Sequence, residues 1–305
     1  YVQEYVYTGT TPVIATQVVD NNKAIINGGS GNITVTGNMD VYVEHGFYCS
    51  TVASTSSING SGGVVGTNVE ARIDGGSATW NISGSVNVFV YNYVYSSVVY
   101  SSTITPNTLK AAARINAGTS NWTVAGSVNP YIRMRYYWTG ASGTGTLAAG
   151  GGMDGCIAEI NAENSTWTVN GDINPYITLE ATNSATSGTP TISGGEVKNC
   201  IARINAGAST WTLYGNLNSQ KLTTYTAGSF GTTTLSTITN PTVVLNSGTS
   251  TFILGGGTVP SLTSYYITST SWNNLSVSGW VNLGGNCTVS NILNIYSGGT
   301  FDTRG

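Results

Sequence analysis

Two cysteines occupy the same place in neighbouring copies of a repeat, and their spacing points to a disulfide. They are Cys156, in Cys156-Ile157-Ala158, and Cys200, in Cys200-Ile201-Ala202. If the copies stack as parallel, in-register strands, equivalent Cα atoms lie about 4.8 Å apart, within the range a disulfide accepts. Cys49 and Cys287 lie towards opposite ends of the chain. That placement suits bonds between molecules in an oxidising compartment. A zinc pattern is missing, because there is no Cys-x-x-Cys and His45 is the only histidine. Structural zinc takes four Cys or His ligands. A single histidine also removes most Ser-His and Cys-His nucleophile arrangements.

The carboxylates do not gather into a reactive group. Glycoside hydrolysis needs a facing pair, and calcium needs several acids around one point. Here 13 acidic residues are scattered. Asp40, Glu44 and His45 form the one mixed cluster, and a solvated strand end accounts for it. Glu159 and Glu163 read as structural. The tyrosine-rich stretches Tyr91–Tyr95 and Tyr131–Trp138 suit sheet packing better than sugar stacking. We therefore expect no enzyme activity, no cofactor and no metal.

The elements that must position these residues come from a repeat. Trp80, Trp122, Trp167 and Trp211 are 42, 45 and 44 residues apart. Ala-Arg-Ile-Asp or a close variant precedes each one, at Ala71–Asp74, Ala113–Asn116, Ala158–Asn161 and Ala202–Asn205. Gly84, Gly126, Gly171 and Gly215 follow, and then Asn87, Asn129, Asn174 and Asn218. Weaker copies lie on either side, with Ile33 and Phe252 in the Trp place. Such a period means one structural unit copied and stacked. The spacing predicts an all-β solenoid or β-arcade of about six to seven units of roughly 44 residues. Approximate bounds are 10–52, 53–100, 101–144, 145–186, 187–230, 231–264 and 265–305, in one repeat domain. In the third clear copy four strands are expected, near 145–149, 156–161, 165–169 and 172–179.

In-register stacking predicts ladders. Trp80, Trp122, Trp167, Trp211 and Phe252 should form a core column. Asn27, Asp74, Asn116, Asn161, Asn205 and Asn246 should form an amide ladder at one arch. Arg72, Arg114, Glu159 and Arg203 share one position, which sets Glu159 between two arginines. Gly84, Gly126, Gly171 and Gly215 are expected at positive-φ bends. The strands holding Val35 and Val277 are expected to be the open edges of the stack, since neither carries charge or proline to blunt pairing.

Composition fits an exported β protein. Charged residues make up 8% of the chain and the net charge is −3. Ten basic residues without clusters argue against nucleic acid. There is no apolar run of about 20 residues to span a membrane. The chain starts at Tyr1 rather than Met, which reads as a mature chain whose signal peptide was removed.

The tail, Trp272–Gly279 and then Ile292–Asp302, resembles the β-solenoid repeats of prokaryotic surface adhesins. The Gly/Asn/Thr/Tyr richness, the arch-forming repeats and the few cysteines make the whole chain resemble the amyloid-like subunits of sheaths around filamentous methanogenic archaea. That resemblance implies subunits stacked edge to edge into hoops and a tube. The expected function is a self-assembling structural protein of the cell surface, a homopolymer in contact with other envelope components. The alternative is a glycan-binding adhesin or phage tail-fibre segment.

Overall fold

Alternation of branched or aromatic residues with small polar ones builds strands, because successive side chains point to opposite faces. All helical and strand elements among the described residues are strands. The structure is a computed structural model. It describes residues 1–8, 21–49, 57–58, 68–96, 103–104, 108–139, 146–184, 191–215, 220–227, 232–234, 242–246, 251–254, 269–277, 280–282, 286–295 and 300–302. Every strand pairing among them is parallel, which is the signature of a solenoid.

The third clear copy runs through Thr146–Asp154, Ile157–Asn161, Thr166–Val169 and Tyr176–Asn183. Each of these belongs to its own ladder. The isoleucine leg stacks Lys23–Asn27, Val69–Asp74, Ala111–Asn116, Ile157–Asn161, Ile201–Asn205 and Thr242–Asn246. The tryptophan leg stacks Asn32–Val35, Thr79–Ile82, Asn121–Val124, Thr166–Val169, Thr210–Leu213 and Thr251–Leu254. A long sheet stacks Val2–Thr8, Met39–Cys49, Val86–Ser96, Val128–Trp138, Tyr176–Asn183 and Gln220–Ala227. A fourth ladder holds Ser57–Ile58, Thr103–Ile104, Thr146–Asp154, Thr191–Lys198 and Thr232–Thr234. The two legs meet at Ser269–Val277, which pairs with the last strand of each and then with Asn286–Ile295.

The core lies between these faces. Trp80, Trp122, Trp167 and Trp211 are buried and stacked, with ring centroids 4.7, 4.8 and 4.8 Å apart and planes within 6°. Ile33 and Phe252 continue the register at either end. The Phe252 side chain lies outside the described residues. Val43, Val90, Ile132 and Ile177 line up in register on the inner face of the long sheet. Ile73, Ile115, Ile160 and Ile204 do the same on the isoleucine leg.

The indole N–H groups need acceptors in this dry interior. Trp167 donates to Ser165 Oγ at 2.6 Å, and Ser165 donates in turn to the Ala162 carbonyl. Ser120 and Ser209 serve Trp122 and Trp211 in the same way. The first clear copy has Ala78 in the serine place, and Trp80 there reaches the Gly75 carbonyl directly at 3.3 Å.

The turn between the legs puts one residue per copy in the left-handed region: Gly29, Gly76, Gly118, Glu163 and Gly207, at φ 66°, 62°, 64°, 52° and 60°. Glu163 is the departure, and a left-handed non-glycine costs about 1–2 kcal/mol. The glycines after each tryptophan behave differently from expectation. Gly84, Gly126, Gly171 and Gly215 are not at positive φ. They are glycine because the rungs touch there. A Cβ on Gly171 would lie 2.5 Å from the Gly126 carbonyl carbon, and one on Gly126 would lie 2.7 Å from that of Gly84.

Removing a core ring should cost more than removing its acceptor. Trp167→Ala should destabilise the fold by about 3–5 kcal/mol. Ser165→Ala should cost only about 1 kcal/mol, because the indole can fall back on the Ala162 carbonyl as Trp80 does on Gly75. Denaturant unfolding of both variants measures the difference, and equal losses would place the column wrongly.

Candidate functional site

In-register stacking brings identical side chains together, so each surface column must be a group that tolerates its own copy. The carboxamide does, since it both donates and accepts. Asn116 Nδ2 donates to Asp74 Oδ1 at 2.9 Å, Asn161 to Asn116 Oδ1 at 2.9 Å, and Asn205 to Asn161 Oδ1 at 2.6 Å. Asn27 and Asn246 extend the register. The Asn246 side chain lies outside the described residues.

A second amide ladder runs along the long sheet and was not anticipated as such. Asn87 donates to Asp40 at 2.7 Å, Asn129 to Asn87 at 2.8 Å and Asn174 to Asn129 at 2.9 Å. The recurring asparagine three residues past each glycine was its sequence signal. Asn218, the next in that series, lies outside the described residues. Both ladders donate towards the N-terminal end of the stack, and the hydrogen bonds of both begin on an aspartate. A carboxylate only accepts, so it fits where the chain of donors ends.

The charged column alternates as its residue types require. Glu159 is buried and accepts from Arg114 Nε at 2.8 Å and from Arg203 Nε at 2.5 Å. Glu70 is the partner that the repeat pattern did not flag. It binds Arg72 at 2.9 Å and Arg114 at 3.3 Å, and Asp74 binds Arg72 at 2.8 Å. The arginines remain about a third exposed, so each exposed share of these pairs contributes little. In the register of this column stand Ile25 before Arg72 and Val244 after Arg203.

The cysteines meet as expected but stay thiols. Cys156 and Cys200 precede paired Ile157 and Ile201, both are buried, and both are thiols. The Cys156 thiol donates to the Leu109 carbonyl at 3.3 Å and that of Cys200 to the Lys198 carbonyl at 3.1 Å. The expected disulfide is thus not formed in this structure. Burial, with the Cys200 thiol beside it, pushes the Cys156 thiol well up, which keeps it neutral and unreactive. The side chains of Cys49 and Cys287 lie outside the described residues.

Asp40, Glu44 and His45 do not form a site. Strand alternation sends Asp40 and Glu44 outward and buries His45 completely, against the solvated strand end expected for all three. Asn22 lies 3.1 Å from its Nε2. Glu44 accepts from the Tyr42 hydroxyl at 2.6 Å. Among the described residues no group of three or more His, Cys, Asp or Glu side chains could hold a metal, and no helix is long and apolar enough to cross a membrane.

The tyrosine-rich strands stack too. Tyr1 lies on Tyr42 at 4.9 Å, Phe89 on Tyr131 at 4.5 Å and Tyr131 on Tyr176 at 4.7 Å, all within 7° of parallel. The rings of Tyr91, Tyr93 and Tyr95 instead meet their neighbours tilted or edge-on.

Val277 is not an edge. It pairs with Ile295, so one more strand covers it. Among the described residues, the end strands of the sheet formed by the two legs are Lys23–Asn27 and Asn32–Val35 at one end and Asn286–Ile295 at the other, while Val2–Thr8 and Gln220–Ala227 end the long sheet.

No protein family matches this chain, nor does any curated protein or solved structure.

Two outcomes follow from the columns. Asn161→Asp keeps the shape but removes the donor to Asn116, so it should cost about 1–3 kcal/mol at neutral pH. The loss should shrink below about pH 3.9, where a protonated carboxyl donates again. Urea unfolding of parent and variant at both pH values measures this, and a pH-independent difference would refute the ladder.

The tyrosines make the fold sensitive to alkali. Burial first, then the Glu44 hydrogen bond and charge, raises Tyr42. Burial chiefly raises Tyr131, Tyr136 and Tyr176. The folded state therefore prefers the neutral phenol, while an unfolded tyrosine ionises near about 10. Stability is fully present below about pH 10 and is lost as pH rises through the folded values. Unfolding midpoints should fall steeply above about pH 10, together with phenolate absorbance, and Tyr42→Phe with Tyr131→Phe should flatten that fall.

Proposed function

We propose that this chain is a self-assembling structural protein whose copies stack end to end into a filament, hoop or sheath outside the cell. One observation carries this reading. Six large apolar side chains stand out as exposed among the described residues, and five belong to the end strands or to the residue beside one. Tyr1 is 72% and Ile25 39% exposed at one end; Ile292, Leu293 and Ile295 are 46%, 44% and 51% exposed at the other. Tyr214 is the exception, at 45%.

Among the described residues no further strand pairs with the outer side of these strands, and an open strand edge templates the addition of another strand. Soluble β proteins blunt such edges with charge, proline or a covering element. At the first rung the charged column gives way to Ile25 in register, and Lys23 is the one charged residue of that end strand; Asn286–Ile295 at the other end carries no charge. A head-to-tail contact between unlike ends propagates into a fibre or closes into a ring. The resemblance to archaeal sheath subunits supports the same reading and a cell-surface location.

Ile25→Lys combined with Ile295→Lys places like charges on both ends without touching the core. Negative-stain microscopy should show filaments or hoops for the parent and dispersed particles for the double variant, with the β circular-dichroism signal unchanged. The reading fails if the variant assembles as the parent does, or if the concentrated parent stays monomeric.

A further inference from the structure

Three outer faces have side chains described along most of their rungs, and two of them carry columns that pair with themselves, although among the described residues Arg133 Nε and Arg135 Nε on the long sheet have no hydrogen-bond partner. The isoleucine leg closes its charges in the Arg–Glu column. The long sheet closes its amides in a ladder and pairs Arg133 with Glu180 at 2.6 Å. The tryptophan leg differs. Outside the buried rings runs a column of Thr34, Asn81, Thr123, Thr168 and Thr212, with a second column two residues earlier from Asn32 to Thr210. All ten side chains are Thr or Asn, exposed or half-exposed. Among the described residues no side-chain hydrogen bond engages any of them. Their donors and acceptors point outward on a mesh of about 4.8 Å between strands and about 6.7 Å along them.

We propose that this face is the side-to-side contact between stacks of this chain, joining filaments into a sheet or wall. The proposal rests on the end-to-end reading above. A partner that uses every rung must repeat at the same interval, and a second stack of the same chain does so by construction. Thr and Asn each donate and accept, so the pattern is complementary to itself, and like faces meet with no charge to oppose them. Size sets the order of events. Five rungs by two columns cover about 200–300 Å² per copy, well below the roughly 800 Å² per partner of a stable pair. Single molecules therefore do not pair through it, but a filament presenting it many times does.

The test uses Asn81→Lys with Thr168→Lys, two rungs apart so that the new charges do not face each other within one sheet. A charge control carries Thr182→Lys with Ser184→Lys, at the end of a long-sheet strand and off the tryptophan leg. Thr123→Arg alone is a milder second variant in case the double one folds poorly. Microscopy and low-speed sedimentation should show multi-filament sheets for the parent and the control. The double variant and Thr123→Arg should give single-width filaments, and high salt should restore their lateral association. Unchanged sheets in a folded variant, or parent filaments that never associate, overturn this proposal alone. A parent that forms no filaments overturns the end-to-end reading and this one with it. Capture of the parent on insoluble cellulose or chitin, lost in the variants, would assign the face to a glycan instead and overturn it.

Discussion

Everything in this structure depends on one spacing. Parallel strands in register set each side chain about 4.8 Å from its counterpart in the next rung, and the tryptophan rings report that interval at 4.7–4.8 Å. Like must therefore sit on like, and only some chemistries gain from that. Flat rings stack, methyl-bearing side chains pack, and carboxamides hydrogen-bond to their own copies. Isolated charges repel, which is consistent with a chain that is 8% charged. Where charge does enter the stack, it alternates, with Glu159 held between Arg114 and Arg203.

The same interval explains a feature that would otherwise look like a lapse. Glycine recurs after each tryptophan because successive rungs touch backbone to backbone there, as Gly171 does on Gly126. Cys156 and Cys200 take equivalent places in neighbouring rungs and remain thiols, each donating to a backbone carbonyl instead. Aspartate begins the hydrogen bonds of both amide ladders. A carboxylate only accepts, so it suits the rung at which a run of donors ends.

A lattice that repeats has no internal reason to stop. Each rung is held by the one before and the one after, so the end rungs lack half of their contacts. In this chain those ends carry exposed aliphatic and aromatic side chains, while the Arg–Glu column of the isoleucine leg and the amide ladder of the long sheet close on themselves. The physical pattern matches our proposal that growth proceeds along the axis first and sideways afterwards.

Much of this was legible in the sequence, because a stack translates sequence equivalence directly into contact. The 42-to-45-residue period, the tryptophan column, the Asn161 ladder and the place of Glu159 each follow from copies that align. Whatever depends on the direction of a side chain, or on distances finer than the register, was decided by the tertiary structure. His45 lies on the inner face because strand alternation puts it there. Glu70 stands outside the repeated motif, so only the folded neighbourhood of Arg72 and Arg114 reveals it as their partner. Val277 has the composition of an edge, but Asn286–Ile295 folds over it. The polarity of the amide ladders turns on which way each carboxamide points, which residue spacing does not encode.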